Sequence, residues 1–174
     1  ESVRATQLFE EVIVVTDSKK IATLTEGHGA TTILSHTEHE TGSDRIAEAA
    51  KKVDADIIIN VQGDEPFIDK NSLSALIHCF KEDVEQLIDL ASLMVAITED
   101  EQLLNPNVVK VVTDLKGKAL YFSRSAIPFN RDSNHLMNCF KHKGVYAFRK
   151  SALLAFPKLS MGPLERVEKI EAIR

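Results

Sequence analysis

The chain has 174 residues, of which 44% are hydrophobic and 27% charged, and it carries a net charge of -5. This acidic balance gives no electrostatic case for nucleic acid as the main partner. No apolar run approaches the ~18 residues of a membrane span, and no secretory signal pattern is present. We therefore expect a soluble globular protein of one domain, with neither a nucleic-acid nor a membrane partner.

Two cysteines, Cys79 and Cys139, stand among apolar residues and lack the Cys-x-x-Cys spacing of a zinc or redox motif. This pattern is typical of free thiols buried in a protein of the reducing cytoplasm. The cysteine usage therefore predicts a cytoplasmic location.

Strands alternate with helices along the first hundred residues, which is the pattern of a parallel α/β sheet. Later, Lys116-Gly117 marks a turn between two strands that should form an antiparallel hairpin. The predicted fold class is α/β, with a mixed, mostly parallel sheet flanked by helices. The predicted strands are Val12–Val15, Thr31–Leu34, Ile57–Val61, Leu90–Ile97, Val108–Thr113, Ala119–Ser123 and Lys143–Arg149; the predicted helices are Lys19–Glu26, one that opens at Asp44, Asp69–Val84, Lys150–Phe156 and Leu164–Ile173.

The most informative motif follows the buried strand Ile57–Val61, where the apolar run stops at Gly63, Asp64, Glu65 and Pro66. In open α/β sheets, ligands bind at the carboxyl ends of the strands. A carboxylate pair there favours a hard cation such as Mg²⁺, which prefers oxygen ligands and often accompanies substrate phosphates. The alternative is a solvated turn, because Gly-Asp-Glu-Pro is also ordinary turn chemistry.

A second motif, Thr41 to Arg45, lies at the start of a predicted helix. Backbone N–H groups at such a start favour anions, and Arg45 could add a bidentate fork to a phosphate or carboxylate. The alternative is simple capping by Ser43 or Asp44 beside a surface arginine. The preceding loop, residues 36–40, has a His-x-x-His spacing, but without a supporting cysteine we interpret it as solvated.

Three later segments hold further candidates. Arg124 follows an aromatic strand, and Tyr146 and Phe148 share one face of another strand because side chains repeat every second residue. The alternative to a site role is that Tyr146 and Phe148 are core aromatics and His142 a surface residue. That alternative is favoured for Phe148, whereas both interpretations stay open for Tyr146 because a buried hydroxyl needs a partner. The glutamates near the end of the chain alternate with basic residues, which favours a solvated helix face.

In this order and at this spacing, the segments resemble one family, the 3-deoxy-manno-octulosonate (Kdo) cytidylyltransferases, or CMP-Kdo synthetases. The resemblance spans Glu11 to Arg174, and it depends on the order of the motifs more than on any single one. The motifs are Thr41-Gly42-Ser43-Asp44-Arg45, Asn60-Val61-Gln62-Gly63-Asp64-Glu65-Pro66, Asn105-Pro106-Asn107-Val108-Val109-Lys110-Val111-Val112, Ala119-Leu120-Tyr121-Phe122-Ser123-Arg124-Ser125-Ala126-Ile127-Pro128, His142-Lys143-Gly144-Val145-Tyr146, and Pro163-Leu164-Glu165 with Glu168.

The resemblance implies a nucleotide-diphospho-sugar transferase fold of the glycosyltransferase A type. It also implies the reaction CTP + Kdo → CMP-Kdo + diphosphate of lipopolysaccharide synthesis, with Mg²⁺ as cofactor, CTP and Kdo as small-molecule partners, and a homodimer. The site residues that it implies are Arg45, Gln62 and Asp64 in catalysis, with Asp64 as metal ligand; Arg124, His142, Tyr146, Glu165 and Glu168 at the substrate; and Ser43 and Gly63 at the cofactor.

The chain departs from the family's pattern in ways that leave other functions open. It lacks the family's N-terminal phosphate-binding loop and the C-terminal portion with a second acidic metal ligand, so we expect an interior piece, truncated at both ends, that is inactive alone. The last residues read Glu171-Ala172-Ile173-Arg174, where the family usually has Glu-Gln-Leu-Arg. Ala172 keeps open a cytidylyltransferase for another 2-keto acid sugar, such as amino-Kdo or sialic acid. A non-catalytic remnant that binds or dimerises is the third possibility.

Overall fold

The structure is a computed structural model that describes residues 1–35, 39, 41–131 and 139–174. The chain forms two compact units: unit 1 contains Glu1–Ala91 and Val145–Lys158, and unit 2 contains Ser92–Gly144 and Leu159–Arg174. The single nucleotidyltransferase domain over residues 1–174 stays a prediction.

Short strands and helices make up both units, in the order that the sequence predicted. The helices are α1 Ser2–Ala5, α2 Lys19–Gly27, α3 Gly42–Ala50, α4 Lys70–Glu82, α5 Asp100–Leu104, α6 Lys150–Ala155 and α7 Pro163–Glu168, with 3₁₀ turns at Phe156–Lys158 and Glu171–Ile173. The strands are β1 Ile13–Thr16, β2 Thr31–Leu34, β3 Ile57–Val61, β4 Leu90–Ala96, β5 Lys110–Thr113, β6 Ala119–Ser123 and β7 Phe140–Arg149.

The strand pairings are mixed, and the prediction of a mostly parallel sheet is wrong for the described pairs. In unit 1, β1 and β2 pair in parallel across the helical crossover α2, as a β-α-β alternation requires. There, β3 pairs antiparallel with residues 145–149 of β7. In unit 2, β5 pairs antiparallel with β6 and with the start of β7. The alternation of strands and helices predicted that strands close in sequence would pair, but β3 pairs with β7, which lies much later in the chain.

The core of unit 1 lies where amphipathic helices meet the sheet. Leu73, Leu76 and Phe80 of α4 are buried at the spacing of one helix face, as the apolar periodicity of residues 69–84 predicts. Asp69 begins this helix by accepting the Ser72 N–H at 2.9 Å, which satisfies one of the donors that a helix start leaves open.

The spacing of apolar residues predicts that Ile21 and Leu24 face inward from α2, and this prediction is wrong. Ile21 and Leu24 are 47% and 61% exposed, whereas Ala22 is buried. The Thr25 hydroxyl lies 2.9 Å from that of Thr32 on β2, so the polar Thr25 side of the helix faces the strand.

A buried ion pair closes the end of α4 in unit 1. The Asp83 carboxylate accepts the Leu87 and Ile88 N–H groups and lies 2.6 Å from Arg149 Nη2, with the two charged side chains only 7% and 15% exposed. Arg149 also lies over the Phe80 ring at 5.4 Å. Burial opposes the charge of Asp83, but the Ile88 N–H, Arg149 and the Leu87 N–H outweigh it and hold the carboxyl pKa below its usual value.

In unit 2, the predicted antiparallel hairpin is confirmed. The Asp114 carboxylate accepts the Lys116 and Lys118 N–H groups at 2.8 and 2.9 Å, and Gly117 takes the left-handed conformation with φ of 81°. The buried residues of this unit include Lys110, Ser123 and Glu165 beside the apolar Val111 and others. Charged groups this deep require partners, and those partners belong to the candidate site.

Candidate active site

The turn after β3 in unit 1 has the geometry that the sequence predicted. Asp64 and Gly63 are exposed just beyond the strand, and the Glu65 N–H donates to the Gln62 carbonyl at 3.1 Å to close the turn. An exposed carboxylate at this edge is accessible to a cation or a charged substrate.

The start of α3 is capped by its own side chains, as one of the two sequence alternatives predicted. Thr41 Oγ1 accepts the Asp44 N–H at 3.2 Å while the Asp44 carboxylate accepts the Thr41 N–H at 3.1 Å, which is a capping box. Ser43, one of the two residues proposed as the cap, is instead fully buried. The acidic side chain at this helix start neutralises much of the positive potential that would attract a phosphate.

Arg45 projects from the first turns of α3 and binds a carboxylate of its own unit. Its Nη2 lies 2.6 Å from Asp17 Oδ2, with the two side chains 30% and 56% exposed. Its Nε is buried and has no hydrogen-bond partner among the described residues. No described residue satisfies this donor, and the role of Arg45 toward a ligand stays a prediction.

Gln62 packs tightly against the start of α3. A Cβ placed on Gly42 would meet Gln62 Nε2 at 3.0 Å and Oε1 at 3.3 Å. Glycine at position 42 therefore creates the space in which this amide lies. The contact joins two of the motifs that the sequence singled out.

We expect Gly42→Ala to displace the Gln62 amide and to lower turnover about tenfold while changing stability little, because the atoms in its way end a flexible side chain. Steady-state kinetics and thermal melting of the two proteins measure this. Gly27→Ala is the matched control, since a Cβ there meets nothing within 4 Å. Equal losses in both variants would contradict the role of the Gly42–Gln62 contact.

Tyr146 and Phe148 lie on one face of β7, as the period of a strand requires, and both are buried. Tyr146 is the partner of Asn60 in the β3–β7 register, and its ring centroid lies 6.3 Å from that of Phe148. Phe148 also contacts Phe156 edge-on, so its predicted core role is confirmed. Register thus places Tyr146 on the strand pair that leads to the Gln62–Asp64 turn.

In unit 2, His142 is half-buried and not the surface residue that one sequence alternative predicted. Its Nε2 lies 2.7 Å from the Ser92 hydroxyl, and its ring meets Phe122 edge-on at 5.1 Å between centroids. The signal missed in the sequence is the strand alternation, which turns this side chain toward an aromatic neighbour.

Arg124 uses its guanidinium within unit 2. Nε donates to the Glu168 carbonyl at 2.6 Å, Nη1 to the Pro106 carbonyl at 2.9 Å, and Nη2 to the Lys169 carbonyl at 3.3 Å. Arginine suits such fixed, forked donation. The side chain predicted to meet the acidic sugar thus holds three backbone carbonyls in place.

Glu168 is an acceptor for the same segment. Its two carboxylate oxygens accept the Ser123 hydroxyl at 2.7 Å, the Tyr121 hydroxyl at 3.2 Å and the Arg124 N–H at 2.8 Å. The Arg124 N–H and the Ser123 hydroxyl, opposed by burial, hold the pKa of the Glu168 carboxyl below its usual value. Glu168 is therefore a bonded carboxylate and not part of a solvated face.

Glu165 forms a buried, bidentate ion pair with Arg174. Nε lies 3.0 Å from each carboxylate oxygen and Nη2 lies 2.6 Å from Oε1, with the side chains 2% and 4% exposed. The predicted helix Leu164–Ile173 is wrong beyond Glu168, because Lys169 adopts the left-handed conformation and ends α7. The chain then turns back, which lets Arg174 reach Glu165.

Lys110 is a buried residue beside Arg124 for which the sequence predicted no role. It is fully buried on β5, and its ammonium donates to the carbonyls of Asn105 and Arg124 at 2.9 and 2.6 Å. A lone lysine inside the apolar run of residues 108–113 was the available signal, since lysine is rarely buried without partners.

The loop at residues 36–40 is only partly described. His39 Nε2 lies 2.6 Å from the Glu48 carboxylate and 3.0 Å from the Ser35 hydroxyl. Residues 36–38 and 40 lie outside the described residues, so the prediction of a solvated loop is not tested for them.

A metal site would rest on Asp64 in the described part of the chain. Residues 1–35, 39, 41–131 and 139–174 contain no group of three His, Cys, Asp or Glu side chains that could hold an ion. Mg²⁺ is commonly bound by one or two carboxylates together with water and substrate phosphates. One exposed carboxylate therefore fits such an ion as a single protein ligand.

The described helices, taken over the same ranges, are too short or too polar to span a bilayer.

Known proteins match the chain along its length. A family model described as cytidylyltransferase matches residues 1–174. A 3-deoxy-manno-octulosonate cytidylyltransferase of Christiangramia forsetii is 53% identical over 169 residues, which are 97% of this chain and 68% of that protein. One from Flavobacterium johnsoniae is 50% identical over 174 residues, which cover 100% of this chain and 71% of that protein.

Solved structures of related enzymes are also similar to this chain. CMP:2-keto-3-deoxy-manno-octonic acid synthetase complexed with CTP matches with a TM-score of 0.88 and 34% identity, covering 98% of this chain and 70% of that one. A 4-diphosphocytidyl-2C-methyl-D-erythritol synthase from Anaerococcus prevotii, at a TM-score of 0.54 and 15% identity, shares the fold alone.

Fold and similarity together define an α/β nucleotidyltransferase. The chain belongs to the cytidylyltransferase family, and the family predicted from its motifs is confirmed.

Proposed function

We propose that the protein transfers a cytidylyl group from CTP to Kdo, giving CMP-Kdo and diphosphate for lipopolysaccharide synthesis. The observation that carries this proposal is 53% identity, over 97% of the chain, to a protein named for that activity. The CTP complex of a structural relative at 34% identity supports CTP as the nucleotide.

The reaction brings several anions together. The anomeric hydroxyl of Kdo attacks the α-phosphorus of CTP, the bond from that phosphorus to the bridging oxygen breaks, and diphosphate leaves. The protein must hold a carboxylated sugar and a triphosphate in line and offset the charge at the transferring group, so positioning and electrostatics outweigh covalent catalysis. Bound Mg²⁺ would supply Lewis-acid stabilisation of that charge, with Asp64 as its protein ligand.

Residues of each unit have roles that the family resemblance implies. In unit 1, the Gln62 amide orients the reactants from its place against Gly42, and Arg45, whose side chain is 30% exposed, binds a ligand anion. Ser43 and Gly63 would border a cofactor when one is bound. In unit 2, His142 contributes a ring nitrogen beside the sugar; Tyr146, of unit 1, contributes its hydroxyl.

The test is turnover by the protein as its gene encodes it, with CTP, Kdo and Mg²⁺, measured by coupled diphosphate release. We expect release that requires both substrates and that falls when UTP replaces CTP. Folded protein without Kdo-dependent release would overturn the proposed function.

A second candidate substrate rests on Ala172, which lies in the 3₁₀ turn Glu171–Ile173. An alanine there offers no amide to the sugar, so another 2-keto acid sugar, such as amino-Kdo or sialic acid, stays a candidate. Comparing kcat/KM for the three sugars separates the candidates, and a preference for Kdo would reject this one.

From the same family resemblance we propose a cytoplasmic homodimer. Sedimentation velocity of the encoded protein measures the assembly, and a monomer at all concentrations would contradict the dimer.

A further inference from the structure

Lys110 is the most deeply buried cation described in unit 2. Its relative exposure is 0%, and its ammonium donates to the carbonyls of Asn105 and Arg124 at 2.9 and 2.6 Å. An ammonium in the interior is costly unless hydrogen bonds and a counter-charge offset its lost hydration. Burial lowers the pKa of Lys110, whereas the charge of Glu168 raises it and that of Arg124 lowers it.

Lys110 and Arg124 act on neighbouring backbone segments. Lys110 holds the carbonyl of Asn105, and Arg124 Nη1 holds the carbonyl of Pro106, the next residue. Lys110 also holds the carbonyl of Arg124 itself, so the two cations are tied through one backbone. The Glu168 carboxylate accepts the backbone N–H of Arg124 at 2.8 Å.

Arg124 also contacts the point after α7 where the chain reverses direction. Arg124 Nε and Nη2 bind the carbonyls of Glu168 and Lys169, which flank the point where Lys169 takes φ of 55° and ψ of 46°. A non-glycine residue in this conformation needs surrounding contacts that hold it there. The next residue, Ile170, is 4% exposed.

The segment that follows is fixed at its other end as well. After the turn Glu171–Ile173, Arg174 returns to the buried Glu165 carboxylate. Residues 169–174 therefore begin at the Arg124 contacts and end at a buried ion pair. A short segment held at both ends loses little further freedom when a ligand binds to it.

We infer that Lys110, Arg124 and Glu168 form a positioning cluster for residues 169–174 and support sugar binding through this segment. This inference rests on the proposed function for its substrate, and it adds to the role that the family resemblance gave to Arg124 and Glu168. Lys110 lies in one of the family motifs, but the resemblance assigned it no role. Arg124 directs three of its five N–H donors at backbone carbonyls, which ties most of its guanidinium to the segment.

The experiment compares Lys110→Met, Arg124→Lys and Glu168→Gln in the protein as its gene encodes it, with Lys116→Met as a control at an exposed turn of the same unit. Methionine keeps the length of lysine but cannot bind the two carbonyls. We expect each cluster variant to raise the KM for Kdo about tenfold, with the KM for CTP and kcat at saturating sugar within about threefold. The double variant Lys110→Met/Glu168→Gln should show less than the product of the single effects, because the residues act as one unit.

If Arg124 binds the sugar directly and the cluster has no role, a different pattern of KM values is expected. The KM for Kdo would then rise in Arg124→Lys while Lys110→Met stays within twofold of the wild type, and that result overturns the inference. A lower melting temperature in the cluster variants with an unchanged KM would overturn it too, because it would show a purely structural role.

Hydrogen exchange separates this inference from the proposed function. We expect the amides of residues 169–174 to exchange about tenfold faster in Lys110→Met and no faster in Lys116→Met, without any substrate present. If the wild type shows no turnover with CTP and Kdo, the proposed function fails while exchange still decides whether the cluster holds the segment. Unchanged exchange in Lys110→Met would reject the cluster.

Discussion

Replacing Asp64 by asparagine should reduce kcat/KM for cytidylyl transfer about 100-fold or more while leaving the fold intact, because it removes a carboxylate proposed to hold the metal at the reacting phosphates. The side chain is exposed in the turn after β3. Exposed substitutions away from caps and ion pairs change stability by about 0.5 kcal/mol or less. Steady-state kinetics across a Mg²⁺ titration, with urea unfolding alongside, measures both quantities.

Glu65→Gln is the matched control for Asp64→Asn. The two acids are neighbours in sequence, but the family resemblance assigns only Asp64 to the metal, so Glu65→Gln should lose less than about threefold. Calorimetry of CTP binding with and without Mg²⁺ gives a readout besides activity: the metal-dependent part of the binding should shrink in Asp64→Asn alone. Equal effects of the two substitutions on turnover and on binding would contradict the assignment.

Removing Arg174 from the ion pair with Glu165 should destabilise the protein by about 3–5 kcal/mol, because it leaves a buried carboxylate without its counter-charge. Both side chains are almost fully buried, and three N–O distances of 3.0 Å or less join them. Urea unfolding of Arg174→Met in the protein as its gene encodes it measures the loss. Arg166→Met, on the exposed side of α7, should cost less than about 0.5 kcal/mol.

The double variant Glu165→Met/Arg174→Met distinguishes a buried charge from lost packing. Because replacing both charges by apolar groups removes the desolvation cost along with the attraction, it should be more stable than Arg174→Met. A double variant that is less stable than either single one would show that shape, and not charge, dominates at this site.

Local sequence signals predicted the elements of the fold well, and the partners of those elements less well. The strand Ile57–Val61 and the turn after it follow from an apolar run and turn residues, which act within a few positions. The choice of β7 as the neighbour of β3 depends on contacts between distant parts of the chain, which no periodicity reveals. The expectation of parallel strands failed at that step.

In the candidate site too, the sequence predicted local features and missed contacts between distant residues. Asp64 and the capped start of α3 were predictable because a strand end and a capping residue leave local marks. The pairing of Glu165 with Arg174 was not, because it requires the helix to stop at Lys169, and nothing in an alternating run of acids and bases marks that stop. Alternating charges predicted a solvated face, but the tertiary structure buries Glu165 and partly buries Glu168 and Glu171.

The left-handed conformation at Lys169 restricts which residues can occupy this position. Arg124 Nη2 donates a hydrogen bond to the carbonyl oxygen of this residue, and the lysine side chain itself is exposed. Glycine and asparagine adopt this backbone most easily, whereas a β-branched residue would be strained in it. Glycine or asparagine at position 169 should therefore keep the direction of this peptide group, whereas valine or isoleucine should disturb it.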